Sequence, residues 1–155
     1  MLVYVGGSMK NRDGIRGVIK DLEKAGHQVF YDWIMPGEET DVKWKEFEES
    51  LGHSFIEALW GPHVGDVFEF DKSWLDAADA FVLVYPAGKS THIELGYMVG
   101  LGKYTAVLLD QEPDRWDIML RFADLVTYDI EEILDDLFHA PRAGVKEKTD
   151  RREQE

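Results

Sequence analysis

The stretch AFVLVY, residues 80–85, decides the fold of this chain of 155 residues. It is a continuous apolar run, which is typical of a strand buried on both faces of a parallel sheet. A second apolar run, LVYV at residues 2–5, stops at Gly6-Gly7, and a third covers residues 104–109. The three runs predict the central strands of a parallel sheet.

Segments with helical spacing separate these runs. Between the first two runs, apolar residues recur at the intervals of an amphipathic helix: Ile15, Val18, Ile19 and Leu22. Further helices are predicted within 64–78, 90–102 and 130–138, and two more strands within 27–33 and 125–128. Strands that alternate with helices predict an α/β fold, here a Rossmann/flavodoxin-like three-layer sandwich with a five-stranded parallel sheet and helices on both faces. We expect one domain over residues 1–140, followed by a polar tail at 141–155 that is too poor in apolar residues to fold.

The charge balance narrows the class of partner. The 17 Lys and Arg residues against 31 Asp and Glu residues give a net charge of −14. A chain of this charge repels DNA, RNA and anionic membranes, so we expect neither a nucleic acid polymer nor a membrane as partner. The chain has no cysteine, which excludes disulfides, thiolate nucleophiles and Cys-ligated zinc and fits the cytoplasmic location that we expect.

Two loops are expected to carry the chemistry, because ligands of such sheets bind beyond the carboxyl ends of the strands. The loops are residues 6–11, after the first strand, and residues 86–94, after the central strand. The second reads PAGKSTHIE and brings Glu94 into the start of a helix. Thr91 and Glu94 also fit the capping box S/T-x-x-E, in which Glu94 would only stabilise the helix end. Both interpretations stay open on the pattern alone.

Two further carboxylates precede the central strand. Asp71 borders the apolar positions Phe70 and Trp74, and Asp79 stands immediately before residue 80. Cleavage of a glycosidic bond needs paired carboxylates, one of them as nucleophile or stabiliser and the other as acid. Either carboxylate can also be an ordinary cap or a solvated charge, and for Asp79 that interpretation is favoured.

The loop after the first strand, GGSMKNR at residues 6–12, supplies small residues, the hydroxyl of Ser8 and two cations. It matches neither the dinucleotide fingerprint G-x-G-x-x-G nor the P-loop. The five histidines are scattered without the spacing of metal ligands. We therefore expect neither a metal nor a cofactor.

Three blocks in order resemble the nucleoside 2-deoxyribosyltransferase superfamily, and most closely its 2′-deoxynucleoside 5′-phosphate N-hydrolase branch. VYVGGS (3–8) is similar to the family's first strand, and DKSWLDAAD (71–79) is similar to its D-x-x-W-L-x-x-A-D helix end. ELGY (94–97), followed by Gly102-Lys103, is similar to its E-L-G segment with a later lysine. The resemblance covers nearly the whole chain to about residue 138.

The resemblance implies an N-glycosidase in which Glu94 attacks the anomeric carbon of a small nucleotide or nucleoside. Asp71 would bind sugar hydroxyls or protonate the departing base, and Tyr4 would orient Glu94. Ser8, Ser90 and backbone N–H groups would hold a 5′-phosphate. The substrate-binding candidates are Gly6, Gly7, Ser8, Asp79, Gly88, Lys89, Ser90 and His92. The resemblance also implies a homodimer.

The sequence departs from the family in two places. Gly88 stands where the transferases have Asp and the hydrolases Ser, and His92 stands where a small residue is usual. The segment 35–65 is longer and more aromatic than in the family, so we expect a lid or a dimer contact there, or simple packing on the sheet.

Other functions stay open at this stage. The loop 86–94 also resembles P-G-G-x-G-T-x-x-E of the cytokinin-activating phosphoribohydrolases, which split base from nucleotide as well. Base exchange by a transferase, an NAD-glycohydrolase of the TIR type and a nucleotide-binding module without turnover are the alternatives to a nucleotide hydrolase.

Overall fold

A parallel sheet of five strands organises the computed structural model, which describes residues 1–34 and 39–140. The polar tail predicted at 141–155 lies outside the described residues, as do residues 35–38. The strands are β1 (Leu2–Gly7), β2 (Gln28–Phe30), β3 (Ala80–Val84), β4 (Tyr104–Leu108) and β5 (Leu125–Thr127). They are ordered β2-β1-β3-β4-β5, and each neighbouring pair is parallel. This is the flavodoxin-like order, so the predicted fold class is confirmed.

Helices connect the strands. They are α1 (Arg12–Lys24), α2 (Thr40–Ser50), α3 (Phe55–Leu59), α4 (Pro62–Ala77), α5 (Lys89–Gly100) and α6 (Ile130–His139). One prediction of local structure was too long. The second strand, predicted within 27–33, ends at Phe30, because residues 32–34 turn into a 3-10 helix. A further 3-10 helix covers Ile118–Phe122.

Alternation along β1 divides the core into two halves, one on each face of the sheet. Val3 and Val5 pack with α1 and α6 on one face. Tyr4, between them, packs on the other face with Leu75 of α4 and Leu95 of α5. Side chains of a strand point alternately to opposite faces, so Tyr4 is directed towards α4 and α5.

The carboxyl ends of β1 and β3 form the topological switch point, since the chain proceeds outward in opposite directions from these two strands. Three hydrogen bonds join the loops that leave them. The amide of Ser8 donates to the Pro86 carbonyl at 3.2 Å, and the Asn11 side chain donates to the Tyr85 carbonyl at 2.8 Å. The Thr91 hydroxyl donates to the Gly7 carbonyl at 3.1 Å. The predicted ligand-binding edge is therefore built as one unit.

Within the described residues, no helix is both long enough and apolar enough to cross a bilayer.

Candidate active site

Glu94 lies in the second turn of α5, and it does not cap the helix. The N-cap is Gly88, which has no side chain to accept a hydrogen bond. Thr91, the other half of the predicted capping box, donates its hydroxyl to Gly7 in β1 instead. With Thr91 used to dock α5 on the sheet, the capping interpretation of Glu94 is wrong.

Glu94, Asp71 and Tyr4 come together on the α4–α5 face of the sheet. Burial raises the pKa of Glu94 to about 7, and the charge of Asp71 adds to the effect. Burial also raises the pKa of the Asp71 carboxyl. The pKa of the Tyr4 hydroxyl is raised by burial first, then by the charges of Glu94 and Asp71. The structure therefore brings the three predicted catalytic residues within electrostatic reach of one another.

An aromatic stack fixes this arrangement. The ring of Tyr4 packs against Phe81 of β3 with centroids 5.6 Å apart, and against Phe30 of β2 at 5.0 Å. Phe30 in turn stacks on Trp74 of α4 at 4.5 Å. Trp74 lies about one helical turn from Asp71, so the stack couples the position of that carboxyl to the central strands.

The hydroxyl of Tyr4 is fully buried and has no hydrogen-bond partner among residues 1–34 and 39–140. A buried hydroxyl without a partner costs free energy unless a polar group reaches it. The two carboxyls that act on its pKa are acceptors of the right kind. The Tyr4 hydroxyl therefore lies near both carboxyls without a hydrogen bond to either.

Polar contacts join α4 to α5 next to the carboxylates of Asp71 and Glu94. They lie nearer to the amino ends of the strands than these two carboxylates do. The Tyr97 hydroxyl donates to Asp76 Oδ1 at 2.5 Å, and Lys72 Nζ donates to Asp76 Oδ2 at 2.6 Å. Lys103 donates to the backbone carbonyls of Asp76 and Ala78 at 3.2 and 2.8 Å. The lysine of the family-like third block therefore secures the end of α4 in this chain.

The predicted phosphate-binding residues lie around the loops after β1 and β3. The hydroxyl of Ser8 accepts a hydrogen bond from the amide of Lys10 at 3.3 Å and keeps its own proton for donation. Gly88, Lys89 and Ser90 are exposed at the start of α5, where the first amides of a helix have no partner inside the helix.

Gly6 and Gly7 allow the close packing at the ends of β1. A Cβ on Gly6 would come within 2.5 Å of Thr91 Cγ2. A Cβ on Gly7 would lie 2.8 Å from Ile15 Cδ1 and 2.9 Å from the Val84 carbonyl oxygen. These two glycines therefore let α1 and α5 approach the strand, which is a packing role.

His92 is held by the loop after β3. Its Nδ1 lies 2.6 Å from the Gly88 carbonyl oxygen, so Nδ1 carries the proton and donates. Its Nε2 lies 2.9 Å from the Tyr85 hydroxyl, which then donates to it. Two residues along a helix correspond to about 200°, so His92 points away from the side of α5 that carries Glu94. Both ring nitrogens of His92 are thus occupied by hydrogen bonds that stabilise the loop after β3.

Asp79 lies at the opposite edge of the sheet. It precedes β3, and its carboxylate accepts the amide of Leu2 at 2.8 Å, at the amino end of β1. Its prediction as a substrate-binding residue is wrong, because the residue before a parallel strand is remote from the carboxyl ends where the site forms. Its carboxylate connects the starts of the two strands.

Sequence reasoning missed three residues that shape the site. Tyr85 binds His92, Asn11 bridges the two loops, and Trp33 donates its Nε1–H to the Val5 carbonyl at 2.6 Å. These are hydrogen bonds formed by polar atoms, two of them between segments distant in sequence, and the apolar periodicity does not report them. Among the described residues, no group of three or more His, Asp or Glu side chains is arranged to hold a metal ion.

Comparisons with known proteins agree with the fold. No protein-family model and no curated protein sequence matches the chain. Among solved structures, the CMP N-glycosidase BcmB of Clostridium botulinum superposes with a TM-score of 0.54 at 17% identity, covering 89% of this chain and 99% of that one. A 2-deoxyribosyltransferase of Bacillus psychrosaccharolyticus superposes with a TM-score of 0.58 at 17% identity, covering 87% and 91%. The chain shares their fold.

Proposed function

We propose that this protein is an N-glycosidase that cleaves the base–sugar bond of a nucleoside or deoxynucleoside 5′-monophosphate through a covalent glycosyl-Glu94 intermediate. The observation that carries the proposal is the electrostatic coupling of the half-buried carboxyls of Glu94 and Asp71 with each other and with the buried hydroxyl of Tyr4. Support comes from the two structures of the same fold, one an N-glycosidase and the other a 2-deoxyribosyltransferase. We include membership of their superfamily in the proposal.

In the first step, ionised Glu94 attacks C1′ of the sugar. The C1′–O bond forms as the C1′–N bond breaks, through an oxocarbenium-like transition state. The leaving base takes the electron pair of the broken bond and is protonated by Asp71, which holds the proton of the pair when Glu94 is ionised. The Tyr4 hydroxyl donates to Glu94 and keeps its reactive oxygen aimed at the sugar.

In the second step, water attacks C1′ of the glycosyl ester, with Asp71, now ionised, taking its proton. The sugar is released and Glu94 regains its negative charge, so the cycle closes without a metal or cofactor. If a second base takes the place of the water, the same intermediate yields base exchange.

The 5′-phosphate is assigned to Ser8, Ser90 and the backbone amides of Gly7, Gly88 and Lys89. These groups lie on the loops that the Ser8–Pro86 and Asn11–Tyr85 hydrogen bonds join. Hydrolysis is favoured over transfer because Gly88 leaves the loop without the Asp of the transferases.

Incubation with a panel of nucleosides, 5′-monophosphates and NAD, followed by chromatography for free base, tests the proposal. Wild-type protein is expected to release base from a monophosphate, and Glu94→Gln is expected to release none. Intact-mass spectrometry of the acid-quenched protein should show a sugar phosphate on wild type alone. Release of base by Glu94→Gln at a rate near wild type would refute the assignment of Glu94. Transfer of the sugar to an added second base would identify the transferase alternative.

We also propose a homodimer. Several large apolar side chains on or next to α3 and α4 are exposed: Phe55, Ile56, Trp60, Val67, Phe68 and Phe70. A patch of exposed apolar side chains marks an interaction site, and we propose that these six form one between two copies of the chain. The segment 35–65, predicted as a lid, a dimer contact or simple packing on the sheet, supplies Phe55, Ile56 and Trp60 of this set.

A further inference from the structure

The side chain of Asn11 joins the loop after β1 to the loop after β3. Its Nδ2 donates to the Tyr85 carbonyl oxygen at 2.8 Å, and the Asn11 backbone amide donates to the Ser8 carbonyl oxygen, also at 2.8 Å. The second bond closes the turn that carries Ser8, and the first holds the residue at which the loop after β3 leaves the sheet. Asn11 therefore fixes one loop against the other, and the proposed mechanism gives it no role.

The connection continues from Tyr85 to the start of α5. The Tyr85 hydroxyl donates to His92 Nε2 at 2.9 Å, and His92 Nδ1 donates to the Gly88 carbonyl oxygen at 2.6 Å. Gly88 is the N-cap of α5, so the amides of the first turn of that helix follow it directly. A series of hydrogen bonds thus runs from Ser8 to Gly88, and both of these residues are assigned to the 5′-phosphate.

Gly14 makes room for the side chain of Asn11. A Cβ at residue 14 would lie 2.5 Å from Asn11 Oδ1 and 2.9 Å from Asn11 Nδ2, so an alanine there would force the amide side chain to move. At Gly17, about one turn later in α1, a Cβ would meet no atom of the described residues within 4 Å. The two glycines therefore offer the same substitution with and without a collision against Asn11.

We propose that Asn11 is a positioning residue for the 5′-phosphate, and that it sets the preference of the site for nucleotides over nucleosides. This inference rests on the proposed N-glycosidase function. The sheet itself does not depend on Asn11, because β1 and β3 pair in register along five residues of each strand. Loss of the Asn11 side chain should therefore leave the fold in place and alter the spacing between Ser8 and the first amides of α5. A substrate without a phosphate makes no use of that spacing.

Steady-state kinetics of three variants test the role of Asn11. A nucleoside 5′-monophosphate is the substrate, and the nucleoside of the same base is measured as substrate or as competing inhibitor. Asn11→Ala removes the donor and Gly14→Ala displaces it. Each is expected to raise the KM of the monophosphate about fivefold, as the loss of one hydrogen bond allows, and to change its kcat and the affinity for the nucleoside by less than about twofold. Gly17→Ala is the matched control and should keep the wild-type values. Equal effects on nucleotide and nucleoside, or a wild-type KM in Asn11→Ala, would overturn the proposal.

The double variant Asn11→Ala/Gly14→Ala distinguishes positioning from two separate structural losses. A Cβ at residue 14 meets the Asn11 side chain first, so Gly14→Ala should have no further effect once that side chain is removed. The KM of the double variant should therefore equal that of Asn11→Ala, whereas independent effects would multiply to about 25-fold. A multiplied effect would contradict the role of Gly14 in seating Asn11.

Calorimetry with orthophosphate separates this inference from the catalytic proposal. The Kd of orthophosphate should rise about fivefold in Asn11→Ala and stay at the wild-type value in Gly17→Ala. If no substrate releases base but this difference is present, the glycosidase proposal fails and the positioning of phosphate by Asn11 stands. If base is released and the two variants bind orthophosphate alike, the inference about Asn11 fails alone.

Discussion

Replacing Glu94 by Gln should stabilise the protein, and by an amount that grows with pH. In the folded protein the pKa of Glu94 is about 7, against an ordinary value of 4.5. The folded state therefore holds the proton more tightly than the unfolded state. Between these two values, rising pH ionises the unfolded chain first and lowers the free energy of unfolding. Above the folded pKa the loss is complete and constant.

The size of the effect follows from the shift. At 1.36 kcal/mol per pKa unit, the step from 4.5 to about 7 costs at most about 3 kcal/mol at alkaline pH. Near pH 5 the same group costs only about 1 kcal/mol, since it is largely protonated in the folded state. Glutamine has a similar shape and no charge, so Glu94→Gln removes this cost. Its advantage over wild type should increase by about 2 kcal/mol between pH 5 and pH 8.

Urea unfolding of both proteins near pH 5 and near pH 8 measures the difference. Glu46→Gln, on the exposed surface of α2, is the matched control and should show no pH-dependent gain. Equal stabilities of Glu94→Gln and wild type near pH 8 would refute the reasoning, and so would a difference that does not change with pH. The same titration should appear in catalysis, because attack needs ionised Glu94: kcat/KM is expected to rise with pH through a limb near 7.

Four further outcomes are expected. Tyr4→Phe should change the free energy of unfolding by less than about 1 kcal/mol, because the hydroxyl has no partner among the described residues, while kcat falls about tenfold. His92→Ala should raise the KM for a 5′-monophosphate more than the KM for the nucleoside, with Tyr85→Phe acting in the same direction, since the pair holds the loop after β3. Lys103→Met should lower the free energy of unfolding by about 1.5–3 kcal/mol in urea titrations, because two carbonyl acceptors lose a charged donor. Trp60→Glu should convert the proposed dimer to a monomer in analytical ultracentrifugation, since a charge would replace an indole that is 84% exposed in the single chain.

The fold could be predicted because its signals are local. A continuous apolar run at 80–85 and apolar spacing along α1 report burial directly, and both correspond to elements of the structure. The same logic places Tyr4 on the face of α4 and α5, since the apolar residues on either side of it must face the other way. The shortened β2 was unpredictable from its alternation, because residues 32–34 turn away from the sheet while Trp33 keeps an apolar contact and a hydrogen bond to β1.

Only the part of the site that follows from the topology of the sheet could be predicted from the sequence. Residues after parallel strands meet at one edge, which brings Ser8 and Ser90 to the same side of the sheet. By the same rule Asp79 lies at the opposite edge of the sheet, because it precedes a strand. The role of His92 could not be predicted from the sequence. It depends on the Gly88 carbonyl and the Tyr85 hydroxyl, which reach the imidazole ring only in the folded loop.

The carboxylates of Asp71 and Glu94 repel each other, so other contacts of the fold must hold these two residues close together. Lys72 and Tyr97 both donate to Asp76, which lowers the pKa of that carboxyl and joins α4 to α5. Lys103 adds two bonds to the end of α4. Asp71 and Glu94 each lie about one turn from this network, towards the carboxyl ends of the strands, where burial raises the pKa of both. The positive charges thus secure the helices without neutralising the reactive pair. That division keeps a proton available on the pair near neutral pH, which a mechanism with one nucleophilic and one acidic carboxyl requires.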